Sequence, residues 1–142
     1  MLEINVLRPE ELAERWNDIR PHIEIAIEHG VGETSSHDMF VGCMNGNYHC
    51  WEILIDGKPK NYGMTRFNNF QQHRQLQIVT CAGEDWDEYG PAVLAEVELV
   101  AKDYDCKYVT IWGRHGWQRK LKPLGYNHIY TVLMKEVDNA SE

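Results

Sequence analysis

The stretch from Val93 to Trp112, VLAEVELVAKDYDCKYVTIW, decides the fold, because a long amphipathic helix in it runs almost directly into a strand. The apolar side chains of this helix recur at helical spacing and therefore share one face: Val93, Val97, Val100 and Tyr104. The part from Lys107 onward is short and rich in β-branched residues, which favours a strand. A helix and a strand joined so closely indicate a domain in which helices pack on a sheet.

Three strands before this helix form a predicted antiparallel meander. Tyr48 to Ile55 alternates between two faces, and the Asp56-Gly57 dipeptide that follows is a strong signal for a two-residue hairpin turn. A returning strand to about Phe67 and a third strand over 75–82 complete the meander.

The N-terminal third is predicted to contain one strand, two helices and a loop. Residues 2–7 alternate like a strand, and the acids after Pro9 favour the start of a helix. Pro21 is expected to break that helix, so that a second helix runs over 23–27. The polar, glycine-containing stretch 30–47 is predicted to be a long irregular loop.

The C-terminal part is predicted to hold a short helix over 117–124, which stops at Gly125, and a last strand over 129–133. The fold class is therefore α+β, with a mixed, centrally antiparallel sheet and helices on both faces. We expect one domain over residues 1–142, in which 136–142 form a flexible tail.

Composition and charge exclude several classes of protein. A chain of 142 residues with 43% hydrophobic and 25% charged residues is typical of a globular domain. The formal net charge of −8 opposes general binding to nucleic-acid backbones. The sequence has neither an apolar run of membrane-helix length nor a signal-peptide pattern, so we expect a cytoplasmic protein that binds no membrane.

The cysteines match no metal-site spacing, and we expect reduced, mostly packed thiols and no metal: Cys43, Cys50, Cys81 and Cys106. His49-Cys50 beside Glu52 suggests a reactive site, but adjacent strand residues point to opposite faces, which favours a structural role. Cys81 lies near the end of the predicted third strand, and no neighbouring residue would lower its pKa, so a packed cysteine is favoured over an exposed thiol.

The order of predicted elements, β–α–α–β–β–β–α–β–α–β, resembles that of the GNAT acetyltransferase superfamily. Val93 to Trp112 is similar to the long helix and following strand of that family, and Lys120 to Tyr126, KLKPLGY, is similar to its closing segment. The resemblance covers about residues 1–136 and implies the fold of the family. It does not by itself imply the activity, because one fold hosts many functions.

In active members of that family, a glycine-rich turn before the long helix holds the coenzyme A pyrophosphate through backbone N–H groups. The corresponding stretch here, 85–91, matches that turn only at Gly90, and Pro91 lacks an N–H group. Acids stand where the phosphates would lie, and one carboxylate about 6 Å from a phosphate costs about 3 kcal/mol at an effective dielectric constant of about 20. The resemblance therefore implies a degenerate site without bound coenzyme A, at these residues: Thr80, Cys81, Ala82, Asp85, Asp87, Glu88 and Gly90.

These acids also have a structural explanation. Asp85-x-x-Glu88 has the spacing of a capping box, and acids stabilise the N-terminus of a helix. We therefore expect Asp85 or Asp87 to cap the long helix.

Many members of the family carry a tyrosine on the short helix as the general acid, and the aligned residue here is Leu121, which cannot donate a proton. If the chain is an acyltransferase, its catalytic candidates are Glu52, Cys81 and Tyr126, although Tyr126 suits strand packing better. Backbone groups of Thr80, Cys81 and Ala82 would then orient the thioester of acetyl-coenzyme A.

The segment from Trp112 to Arg119, WGRHGWQR, has two interpretations, and the sequence favours neither. One is a recognition surface, because Trp and Arg lead binding hot spots, and it comprises Trp112, Arg114, His115, Trp117, Arg119, Lys120 and Lys122. The other is that both tryptophans are core residues and the cations a solvated helix face. The Gly-Arg-x-Gly-Trp pattern resembles GNAT-like proteins encoded beside head genes of tailed bacteriophages.

Three functions remain open. The acidic turn and Leu121 favour a protein without acetyl transfer that binds a protein partner, as a phage virion, morphogenesis or accessory protein. The second function is a divergent N-acyltransferase dependent on acyl-coenzyme A. The third is contact with nucleic acid through the basic turn 112–122, whose signature would be a steep salt dependence.

Overall fold

Residues 1–28, 32, 34–80, 85–112 and 116–138 are described by the structure, a computed structural model. The elements in chain order are β1 (Leu2–Val6), α1 (Pro9–Ile27), α2 (Ser36–Met44), β2 (His49–Ile55), β3 (Lys58–Asn69), β4 (Arg74–Thr80), α3 (Trp86–Asp103), β5 (Tyr108–Ile111), α4 (Gly116–Leu121) and a 3-10 turn (Lys122–Leu124). The chain divides into two compact units, residues 1–112 and 113–142. The five strands belong to the first unit, and α4 with the 3-10 turn belongs to the second.

The strands form one sheet in the order β1-β2-β3-β4-β5. Strands β1 to β4 pair antiparallel with their neighbours, whereas β5 runs parallel to β4. The parallel pair follows from α3, which connects β4 to β5 and returns the chain to the same end of the sheet. The predicted mixed, centrally antiparallel sheet is confirmed.

The predicted hairpin turn at Asp56-Gly57 is also confirmed. Both residues have positive φ angles, 51° and 78°, as the central positions of a type I′ turn require. The amino group of Met1 forms an ion pair with the Asp56 carboxylate, so the start of the chain is held against this turn.

The side chains of β2 alternate between two buried faces of the sheet. On one face Cys50 joins a cluster with residues of α1, α2 and β3: Leu12, Ile19, Ile23, Met39, Cys43, Tyr62 and Met64. On the other face Trp51 and Ile53 line a small cavity with residues of α3: Val93, Leu94 and Val97. Helices therefore cover both faces, as predicted.

The predicted break at Pro21 is wrong, because α1 continues through it from Pro9 to Ile27. Ile19 and Ile23, on either side of the proline, are fully buried, and their packing outweighs the local cost of about 3 kcal/mol. Pro21 itself lies on the exposed side, where water can hydrate the carbonyl group that loses its donor.

The long loop predicted over 30–47 is wrong as well, because it contains α2. Ser35 caps this helix, since its hydroxyl accepts a hydrogen bond of 3.1 Å from the N–H group of Asp38. Met39 and Cys43 lie one turn apart and are buried in the core. Tertiary packing therefore stabilises a helix of nine residues that its own propensity would leave marginal.

At the C-terminus, Gly125 ends the 3-10 turn with a positive φ of 92°, as the predicted stop requires. The strand predicted over 129–133 is wrong, because residues 126–138 belong to no helix or strand. A strand needs a neighbouring strand to accept its hydrogen bonds, which alternation along the chain cannot supply.

Candidate functional site

Strand β4 extends two residues beyond its pairing with the parallel strand β5, which ends at Ile111. Their pairing ends at Ile78 and Ile111, whereas β4 continues to Thr80. In sheets of this kind, ligands bind in the crevice beyond the carboxyl ends of the strands. The end of β4 and the start of α3 therefore form the candidate site.

Strand β4 contains a β-bulge near this end. Met64 of β3 pairs with Thr80 and the next residue, Thr65, pairs with Ile78, so Val79 is an extra residue in β4. The Thr80 hydroxyl is buried and has no hydrogen-bond partner among the described residues. Thr80 is one of the residues that line the small cavity on the α3 face, which has a volume of about 30 Å³.

The start of α3 is acidic, but the predicted capping box is wrong. Asp85 adopts the left-handed conformation at φ 55° and its side chain makes no capping hydrogen bond. Its carboxylate instead pairs with Lys60 of β3, with 2.5 Å between Nζ and Oδ2. The long-range ion pair takes the carboxylate away from the helix N–H groups.

Gly90 has a packing role that its match to the glycine-rich turn did not predict. A methyl group at this position would overlap the indole ring of Trp86, which is buried one turn earlier. Because α3 begins at Trp86, Gly90 and Pro91 lie in its second turn, beyond the N–H groups that face an anion. The N–H group that Pro91 lacks is therefore not one of those donors.

Asp87 and Glu88 occupy the first turn of α3 and are exposed. Their charges suit the positive end of the helix dipole, the position that a pyrophosphate would take. A pyrophosphate brought to these N–H groups would meet the two exposed carboxylates. Cys81 and Ala82, which complete the predicted degenerate site, lie outside the described residues.

Glu52 belongs to a buried polar cluster. Its carboxylate accepts a hydrogen bond of 2.7 Å from the Tyr62 hydroxyl, its cross-strand partner, and forms an ion pair with Arg15 of α1. Arg15 also donates to the Tyr62 hydroxyl at 2.9 Å. Burial raises the pKa of Tyr62, so the phenol keeps the proton that it donates. As a general base, Glu52 would first have to give up the Arg15 ion pair.

Two of the cysteines are packed as predicted. Cys43 and Cys50 are buried, and burial raises the pKa of Cys43 to about 11 and raises that of Cys50 further above its ordinary value. Both thiols stay protonated near neutral pH and are poor nucleophiles. His49 contacts Phe67 at 5.6 Å between ring centroids, apart from the cluster that holds Cys50.

The remaining predicted residues have different environments. Trp112 is 66% exposed, so the interpretation that both tryptophans are core residues is wrong for it. In the second unit Trp117 is half-buried, with the Lys120 ammonium 5.6 Å from its ring centroid, while Arg119 and Lys122 are exposed. Arg114 and His115 lie outside the described residues.

Two further residues that the sequence linked to catalysis, Leu121 and Tyr126, belong to the second unit. Leu121 is buried, with 2% of its surface exposed, and cannot act as an acid. Tyr126 is half-buried and its N–H group donates to the Leu121 carbonyl at 3.3 Å.

Sequence analysis missed Arg15 and Lys60, the cations that pair with Glu52 and Asp85. Each partner lies on a different element, far away along the chain, so no local pattern signals the contact. Within the described ranges, no cluster of three or more potential metal ligands occurs, and no helix is long and apolar enough to cross a membrane.

No family model and no curated protein matches the chain by sequence. Its fold, however, is similar to that of solved acetyltransferases. A ribosomal-protein-alanine N-acetyltransferase from Brucella melitensis is 10% identical, with a TM-score of 0.70 over 97% of this chain and 100% of that one. A GNAT family acetyltransferase from Staphylococcus aureus is 14% identical, with a TM-score of 0.66 over 96% and 98% of the two chains.

A third structure, a predicted acetyltransferase from Clostridium acetobutylicum with acetyl-coenzyme A, is 11% identical, with a TM-score of 0.67 over 96% of both chains. At such identities the likeness concerns the fold and leaves the chemistry open. The chain therefore has the fold of the GNAT acetyltransferases.

Proposed function

We propose that this GNAT-fold chain acts by binding a protein partner, without acetyl transfer and without coenzyme A. The observation that carries the proposal is the acidic start of α3, where Asp87 and Glu88 occupy the first turn and Asp85 precedes it. Acids at this end interact favourably with the helix dipole and repel a pyrophosphate brought to the same N–H groups.

Lys60 does not reverse this charge. Its ammonium group pairs with Asp85 at 2.5 Å, and this carboxylate offsets much of the attraction that Lys60 would exert on a phosphate. The first turn of α3 therefore stays acidic. The buried, apolar Leu121 supports the same proposal, because no proton donor stands at the position where many acetyltransferases of this fold place one.

The contact residues that we propose for the partner are exposed or half-buried and form two separate groups, one in each unit: Trp112 in the first, and Trp117, Arg119, Lys120 and Lys122 in the second. Trp and Arg dominate binding energies at protein interfaces. The Gly-Arg-His-Gly-Trp pattern at 113–117 supports a phage structural or morphogenesis protein as the partner, met in the host cytoplasm or the virion.

The alternative function is an N-acyltransferase dependent on acyl-coenzyme A. Two observations favour it: the buried Thr80 hydroxyl without a described partner at the end of β4, and the acetyl-coenzyme A in one solved structure of the same fold. It would require cofactor binding despite the acidic turn.

Calorimetry with acetyl-coenzyme A separates the two functions. We expect no binding by the native protein at millimolar concentration, and measurable binding by an Asp87→Asn/Glu88→Gln variant, which keeps the Lys60–Asp85 pair. Glu96→Gln/Asp103→Asn is the matched control, because it removes the same charge from exposed positions farther along α3. Micromolar binding by the native protein would refute the proposal, and acetylation of an amine would then be measured.

A further inference from the structure

We propose that the end of the sheet opposite the candidate site binds an acidic segment of a partner protein in which carboxylates alternate with aromatic side chains. The docking surface, called the hairpin surface below, consists of aromatic and basic residues: Phe70, His73, Arg74, Tyr104 and Lys107. The inference goes beyond the proposed function, because it uses other residues. Binding of acetyl-coenzyme A would refute the proposed function and leave the hairpin surface in place.

The hairpin surface lies where β3 turns into β4 and where α3 ends next to β5, within the first unit. Phe70 and His73 bound the turn, and the Phe70 N–H group donates to the His73 carbonyl at 2.9 Å. The Lys107 N–H group donates to the Arg74 carbonyl at 2.8 Å, which ties the segment before β5 to the start of β4. The candidate site lies at the other end of β4, beyond Thr80.

The Arg74 side chain is held in one conformation by three contacts. Its Nε donates to the Asn69 side-chain oxygen at 2.7 Å, and its Nη1 donates to the Tyr104 carbonyl at 3.0 Å. Its Cζ also lies 5.0 Å from the centroid of the Phe67 ring. A guanidinium group has five N–H donors, of which these bonds use two. Because the side chain is already ordered, binding a carboxylate costs it little conformational entropy.

Aromatic rings on the hairpin surface are fixed by their neighbours and still meet water. Phe70 and Tyr104 are 52% and 55% exposed. The Phe70 ring lies 5.6 Å from that of His73, and the Tyr104 ring lies 5.3 Å from that of Phe67, measured between centroids. Ordered aromatic rings beside an ordered arginine are the residue types that dominate binding energies at protein interfaces. Apolar or aromatic side chains of a partner would cover these rings.

The charge around the hairpin surface selects an acidic partner. Residues 57–83 contain four lysines and arginines and no acid, although the net charge of the whole chain is −8. Asp103 and Asp105 at the end of α3 are matched in number by Lys102 and Lys107. A short acidic segment would meet this locally basic region alone. A nucleic acid strand is charged at every nucleotide and would also extend over the acidic remainder of the protein.

Fluorescence anisotropy with a labelled synthetic peptide of alternating glutamate and phenylalanine tests the hairpin surface. We expect saturable binding by the full chain. Arg74→Gln should weaken it roughly tenfold, because a charge-assisted hydrogen bond is lost, and Phe70→Ser should weaken it by a similar factor. The matched controls, Arg20→Gln and Ile25→Ser, change an exposed arginine and an exposed apolar residue of α1 and should leave binding unchanged.

Two further probes test the chemistry of the partner. The same peptide with lysine in place of glutamate should not bind, and single-stranded oligothymidine should bind more weakly than the glutamate peptide. Circular dichroism shows whether each variant is folded. Lys107→Gln and Phe70→Ser change exposed side chains and keep the test valid if Arg74→Gln unfolds. No saturable binding of the glutamate peptide at millimolar concentration, equal weakening in the control variants, or tighter binding of oligothymidine would each overturn the inference.

Discussion

The indole ring of Trp86 packs against Gly90 one turn later in α3, leaving no room for a methyl group at position 90. Trp86 is buried and lines the cavity on the α3 face of the sheet together with Thr80. The glycine therefore leaves room for an indole ring that lines the same cavity as Thr80, at the end of β4. Packing against Trp86 therefore accounts for the glycine at position 90, which matches one position of a phosphate-binding turn.

Gly90→Ala should lower the free energy of unfolding by about 1–3 kcal/mol, because the added methyl group overpacks the site. Urea denaturation followed by tryptophan fluorescence measures this loss. The control is Gly116→Ala in α4, where a methyl group would meet no atom within 4 Å, and no loss is expected. An unchanged midpoint for Gly90→Ala would mean that the indole ring can move aside.

Removing Arg15 should destabilise the protein more than removing an exposed arginine. Arg15→Met leaves the Glu52 carboxylate buried without its cation, which should cost about 2 kcal/mol or more. Arg20→Met is the control, because the Arg20–Glu24 pair is exposed and should contribute less than about 1 kcal/mol.

The coupling between Arg15 and Glu52 has its own test. In Arg15→Met/Glu52→Gln the buried charge is gone, so the loss of stability should be smaller than the sum of the two single losses. Additive losses would contradict a tight ion pair between these residues.

Stability should depend on pH through His49. Burial lowers the pKa of His49 below its ordinary value of 6.5, because the charged ring is poorly solvated. As the pH falls, the unfolded chain takes up this proton first, so the stabilisation present above pH 6.5 is lost as the pH falls through the lower pKa of the folded protein.

His49→Gln should therefore lose less stability than the native protein between about pH 7 and about pH 5. Urea denaturation at both pH values measures the difference, and proton NMR of the imidazole ring gives the pKa directly. A His49 pKa at or above 6.5 would contradict the expected shift.

Pro21→Ala should stabilise the protein by about 1–3 kcal/mol, because alanine restores a helix hydrogen bond inside α1 and removes a steric clash. Thermal unfolding followed by circular dichroism measures the gain. Pro9→Ala is the control, since proline at the first turn of a helix costs little and should show no gain. A loss of stability in Pro21→Ala would mean that the bend at the proline is needed for packing.

Strands and turns with local signals could be predicted from the sequence. The hairpin at Asp56-Gly57, the meander from β2 to β4 and the pair α3–β5 depend on alternation, helical spacing and turn chemistry within short stretches. At the N-terminus the predicted order of one strand followed by two helices is correct, but the two helices are not the predicted ones. One helix passes through Pro21, and the second helix, α2, lies in the stretch predicted as a loop.

The candidate site could be predicted only in part. The sequence shows the acids Asp87 and Glu88 and the apolar Leu121 directly, because each of these features depends only on which residue occupies one position. The sequence predicted a cap for Asp85, yet the ion pair with Lys60 takes its place, since β3 brings a cation to the start of α3.

Residue types within short stretches of the chain set the periodicity of the helices and strands, the tight turn at Asp56-Gly57 and the acidic start of α3. Contacts between distant residues keep α1 helical through its proline and stabilise α2. Such contacts also pair Lys60 with Asp85 and Arg15 with Glu52. The physical reason is the same in each case. Burial and ion pairing join residues far apart along the chain, and their free energies outweigh the local preferences of about 1–3 kcal/mol that a sequence pattern expresses.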